Sequence, residues 1–107
     1  MKILTAGHRY ELVNFEAPEA AGQVVQFIEK NVEGDTLTTV ADGTTNEEVL
    51  QMLLDRLNFL QTKSPCAENA FAIANIFQAL TWLGVRTANR QTHAAAQAQA
   101  AAPVATA

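Results

Sequence analysis

The chain has 107 residues, a formal net charge of −4 and a hydrophobic fraction of 49%. That length holds at most one small domain with a limited core, and association between copies is one common way to add stability. The acidic balance lacks the basic footprint of a DNA or RNA binder, and the single cysteine excludes an intrachain disulfide or a multi-cysteine zinc site.

The first residues, Met1 to Ala6, run straight into His8-Arg9-Tyr10-Glu11, so no secretory leader is expected. No apolar run approaches the ~18–20 residues that a bilayer span needs. The runs Arg9 to Phe15 and Gln23 to Glu29 are rich in aromatic and β-branched residues, with Pro18 and Gly22 between them. Both read as strands, and Thr36 to Val40 reads as a third. Gly34-Asp35 is placed to turn a hairpin between the second and third, which makes a small antiparallel sheet.

Asp42-Gly43 ends that region. Thr45-Asn46-Glu47-Glu48 is a capping-box pattern, so a helix is predicted from about Asn46 to Lys63. Ser64-Pro65 reads as the N-cap and first residue of a second helix, continuing to about Arg90. The short join predicts an antiparallel helical hairpin. Helical spacing places Val49, Leu50, Leu53, Leu54, Leu57 and Leu60 on one stripe of the first helix, with Met52, Arg56 and Phe59 on its flank. On the second helix, Ile73, Ile76, Phe77, Leu80 and Leu83 make the core stripe. Phe71, Trp82 and Val85 fall on the far side, a row of the kind that marks an interface.

The predicted architecture is therefore α+β and oligomeric: a small N-terminal antiparallel β-sheet, then an antiparallel two-helix hairpin. Residues 1–91 form the domain, with 1–42 β-rich and 43–91 the helical hairpin. Residues 92–107 read as a disordered tail rich in Ala and Gln.

Enzyme chemistry is poorly provided for. His8 and His93 have no metal-ligand spacing to other side chains, and no cofactor motif is present. Cys66, at a helix start, has no positioned base in the sequence and reads as structural. Glu47 and Glu48 fit a first-turn role against the helix dipole. Arg86 and Arg90 share a helix face at i and i+4. From spacing alone, their neutralisation of a helix C-terminus outweighs anion binding.

The string from Asp42 to Leu50 changes that weighting, together with Asp55-Arg56-Leu57, Pro65-Cys66, Glu68-Asn69-Ala70, Trp82-Leu83 and Arg86-Thr87-Ala88-Asn89-Arg90. With His8 to Leu12 and Gln26 to Lys30, it resembles the Thoeris anti-defence 1 family of phage proteins. The resemblance covers roughly residues 7–91, and its helical hairpin is shared with anti-CBASS cyclic-nucleotide sponges. It implies a protein of the infected host's cytoplasm that sequesters a glycocyclic ADP-ribose signalling nucleotide without degrading it. It also implies a homodimer, with a hexamer as a trimer of dimers and cyclic di- or trinucleotides as further ligands. Contacts carried over by position are Phe59, Asn69 and Arg86, with Arg90 and Arg9 as weaker transfers. Where the family has Arg after the Pro-Cys pair, this chain has Ala67, which puts the oligonucleotide ligands in question.

Two other readings stand beside this one: a sponge for the cyclic oligonucleotides of CBASS, and a protein-interaction hairpin. Asn69 and Arg86 lie about 25 Å apart along one helix at 1.5 Å per residue. A shared pocket therefore requires Arg86 to come from a second chain.

Overall fold

The computed structural model describes residues 1–101, and they divide into two units, Met1–Val49 and the chain from Leu50 onward. In the first unit, β1 (Lys2–Thr5) pairs antiparallel with β2 (Arg9–Leu12), Ile3 facing Tyr10. Gly7 makes the turn at φ +75°, a conformation open to glycine at little steric cost. The His8 N–H closes the turn onto the Thr5 carbonyl at 3.0 Å. On the other side of β2 lies β3 (Gln23–Gln26), also antiparallel, with Tyr10 opposite Val25.

A second, two-stranded sheet holds β4 (Glu29–Glu33) and β5 (Thr36–Ala41). Gly34, at φ +62°, occupies the first position of their two-residue turn, where a type II′ hairpin favours glycine. The hairpin expected at Gly34-Asp35 is present, but the sheet plan is richer than expected. β1 was not anticipated, and the run from Gln23 to Glu29 is not one strand.

The break comes from an exchange of backbone partners. Phe27 N–H still donates to the His8 carbonyl at 2.7 Å. One residue later, Ile28 N–H donates to the Thr44 carbonyl at 2.9 Å, and Thr44 N–H donates to the Gln26 carbonyl at 2.8 Å. The segment before the first helix thus takes over from β2 as the neighbour. A continuous β-branched run does not reveal such a handover. The rings of Tyr10 and Phe27 meet edge to face, 6.0 Å between centroids, on the sheet side of it.

α1 (Asn46–Lys63) begins as its sequence predicts. The Thr45 hydroxyl accepts from the Glu48 N–H at 3.2 Å, and the Thr45 carbonyl accepts the first helical bond, from Val49. α2 (Ala67–Ala101) departs from expectation at both ends. Its N-cap is Cys66 and not Ser64: the Asn69 N–H points to the Cys66 sulfur at 3.4 Å, and the Cys66 carbonyl accepts from Ala70. The side chain of Gln61 explains the shift. Its amide donates to the Cys66 carbonyl at 3.0 Å and accepts the Cys66 N–H at 3.1 Å, which holds that residue as the boundary.

At the other end, residues 92–101 continue the helix, although the sequence reading placed them in a disordered tail. Alanine and glutamine are strong helix formers, so the segment has no residue that stops α2 at Arg90. Residues 102–107, the rest of that expected tail, lie outside the described residues.

The apolar stripes largely match the predicted ones. Leu50, Leu54, Leu57 and Leu60 on α1, and Ile73, Ile76, Leu80 and Leu83 on α2, are half-buried. Phe77, expected among the latter, is instead 64% exposed. It sits about 80° around the helix from the stripe's centre, at the edge of what that face can cover. No Cα of α1 comes within 8 Å of one in α2. The joint is as short as a hairpin requires, but the close antiparallel packing expected is not a feature of the single chain. Among the described residues, none is buried.

Candidate functional site

Two groups of side chains in the helical unit are candidates. The first brackets the turn between α1 and α2. Phe59 lies one helical turn before the end of α1 and is 57% exposed. Asn69 is the third residue of α2 and half-buried. Among the described residues its side-chain amide forms no hydrogen bond within the protein, so both its donor and its acceptor are available. The Gln61 pairing with Cys66 fixes the turn that separates these two residues, and the cap bond from Asn69 N–H to Cys66 ties Asn69 to the same point.

The ring of Phe59 carries a cation. Lys63, one turn further along α1, places its Nζ 5.1 Å from the ring centroid, within the range of a cation–π contact.

The second group is a stripe on α2. Trp82, Val85, Arg86, Asn89, Arg90 and His93 line a shallow, widely open recess along one face of α2. These positions repeat at the three- and four-residue spacing of one helix face. Among the described residues, neither Arg86 nor Arg90 has a carboxylate within 4.0 Å. Two neighbouring guanidinium groups without a counter-charge repel each other, and an anion relieves that repulsion.

Arg86 and Arg90 thus share one recess. Phe59 and Asn69 share one turn. Asn69 and Arg86 belong to the same continuous helix, α2, about 25 Å apart at 1.5 Å per residue, so a single chain does not bring them together. Arg9 stands on β2, in the first unit, and its guanidinium donates to the Gln26 side-chain oxygen at 3.2 Å. Trp82, Asn89 and His93 had not been singled out as recess residues. Spacing relative to Arg86 would have found them, but Trp82 reads as an interface residue and His93 as part of the tail.

Among the described residues, no three His, Cys, Asp or Glu side chains cluster as a metal site. No helix among them is long and apolar enough to cross a membrane.

No family profile matches the chain. A protein described as Thoeris anti-defense 1, from Bacillus phage SBSphiJ7, is 42% identical over 52 residues. The match covers 48% of this chain and 37% of that protein, so it spans well under two thirds of the relative's own length. Over about half its length the chain is therefore similar to a phage Thoeris anti-defence 1 protein.

Proposed function

From that similarity, we propose that the chain is a phage anti-defence protein that captures a cyclic ADP-ribose-type signalling nucleotide of Thoeris immunity and holds it intact. The similarity to the phage Thoeris anti-defense 1 protein supports the anti-Thoeris role. The observation that carries the ligand chemistry is the recess on α2, where Arg86 and Arg90 lack a carboxylate partner among the described residues and stand beside an indole ring. Paired guanidinium forks fit a pyrophosphate better than lysine would.

In this reading Phe59 stacks on the adenine, a contact worth about 1–3 kcal/mol. Asn69 reads a polar edge of base or ribose. Arg86, with Arg90, meets the pyrophosphate. Because Asn69 and Arg86 are far apart on one helix, the pocket is built from the α1–α2 turn of one copy and the arginine stripe of another. The protein is then a homodimer at least, and a hexamer is the larger assembly to test for. Sequestration needs tight binding, and a nanomolar Kd corresponds to about −12 kcal/mol. A cavity closed by two chains is the arrangement that makes such a value reachable. In this reading the protein acts in the host cytoplasm, and Arg9 on β2 stands as a weaker ligand candidate beside these residues.

A protein-interaction module is the second reading, favoured by the large exposed side chains Phe71, Phe77 and Trp82 on α2. One experiment separates the two. The purified protein is incubated with candidate cyclic ADP-ribose isomers and cyclic di- and trinucleotides, separated from free ligand, and heated. Release of intact ADP-ribose isomer supports sequestration, altered ligand means catalysis, and no captured ligand favours the interaction module. Release of the cyclic oligonucleotides alone points to CBASS signals. Phe59→Ala and Asn69→Ala should each abolish capture with the helical circular dichroism unchanged. Wild-type capture by both variants would mean the pocket lies elsewhere.

A further inference from the structure

Among the described residues no carboxylate stands within 4.0 Å of Lys63, and its Nζ rests 5.1 Å from the centroid of the Phe59 ring. We propose that Lys63 is a phosphate-binding residue of the candidate pocket and acts as a unit with Phe59. The ring takes an adenine base, and the ammonium takes the phosphate attached to that nucleoside. The inference rests on the reading that Phe59 stacks on the nucleotide.

Three features support the pairing. Phe59 and Lys63 sit at i and i+4 in the last turn of α1, so their side chains share one helix face. The ring is 57% exposed despite the lysine above it, which leaves aromatic surface for a flat base. The lysine's four-carbon stem lets the ammonium move from the ring to its rim without leaving the aromatic surface. An incoming nucleotide thus meets an aromatic plane and a cation on the same subunit, before any arginine of a second copy is needed. Arg86 and Arg90 then complete the neutralisation of a doubly charged pyrophosphate.

The alternative role for Lys63 is local: a cation near a helix C-terminus interacts favourably with the helix dipole. The two roles differ in what they do to ligand binding. Lys63→Met keeps an unbranched apolar stem against the ring and removes the charge, whereas Lys63→Arg keeps the charge. Affinity for the cyclic ADP-ribose isomer that the wild type captures is measured by calorimetry at two salt concentrations.

A phosphate contact predicts that Lys63→Met weakens binding by about tenfold or more, the scale of one charge-assisted hydrogen bond. It also predicts a flatter salt dependence, because one screened attraction is gone. Lys63→Arg should stay within about threefold of wild type. A Lys63→Met protein with wild-type affinity and wild-type salt dependence overturns the proposal while leaving sequestration intact. So does equal weakening in Met and Arg variants with an unchanged salt response. Failure of the wild type to capture any of the isomers removes the nucleotide reading itself, and Lys63 with it.

Discussion

Gly43 is set where a side chain would have to share space with backbone. A Cβ there would collide with the Gln26 carbonyl oxygen and stand 2.7 Å from the Phe27 carbonyl carbon. Those are the atoms of the partner exchange that carries the chain from the first sheet towards α1. The close approach lets Thr44 bond Gln26 and Ile28, so the glycine is needed for its lack of bulk. Gly43→Ala should therefore lower stability by roughly 2 kcal/mol or more, against the small gain that Gly→Ala brings at an unstrained position. Chemical denaturation of the two proteins measures it, and a neutral or stabilising result would show that this crossing yields easily. Gly84, with open space around its Cα, is the matched control in which alanine should stabilise α2 by up to about 1 kcal/mol.

At the scale of elements, the joint between the helices depends on Gln61. Its side-chain amide imitates a strand partner for Cys66, satisfying both of that residue's backbone groups. Each such bond contributes about 0.5–1.5 kcal/mol net. Gln61→Ala should destabilise the protein by about 1–2 kcal/mol and speed hydrogen exchange at the Cys66 amide, because that N–H loses its acceptor. Gln61→Glu keeps an acceptor for the N–H but loses the donor while ionised, so its exchange should fall between the two. Unchanged exchange in the alanine variant would show that the clamp does not hold the turn.

This joint also shows what a sequence exposes and what it hides. Thr45 was legible as a cap because its pattern is local: hydroxyl, three residues, backbone amide. The true cap of α2 was not, because Cys66 is chosen by a side chain five residues back, and Ser64-Pro65 offers a competing local signal. The apolar stripes of α1 and α2 were legible from period alone, apart from Phe77 on the stripe's margin and Leu53, which is 38% exposed on α1. The split between β3 and β4 was hidden because strand propensity says nothing about which neighbour a strand will pair with. As for the candidate site, spacing put Arg86 and Arg90 on one face, but only resemblance picked out Phe59 and Asn69. Trp82, Asn89 and His93 follow from the same spacing once α2 is known to continue past Arg90.

For the whole molecule, the exposure of apolar groups is the largest unsolved term. Phe71 and Trp82 are each 69% exposed, Phe77 is 64% exposed, and no described residue is buried. Fully covering a side chain of this kind is worth about 1.5–3 kcal/mol, while the net stability of a whole domain is only about 5–15 kcal/mol. A helix pair whose stripes stay half covered, and whose Cα atoms keep beyond 8 Å, lacks a core of its own. A second copy would supply the missing cover. The same partner would bring an Arg86 towards the α1–α2 turn, so folding and ligand capture would draw on one interface. Light scattering should therefore give a mass of at least twice 11.5 kDa, and unfolding midpoints should rise with protein concentration, as linked association requires. Mixing Asn69→Ala with Arg86→Ala chains is the sharper measurement. Each variant alone should fail to capture the nucleotide, while the mixture should regain part of the capacity, because some dimers then carry one intact pocket. A mixture as inactive as its parents, in a protein shown to exchange subunits, would mean that the two residues do not meet across copies.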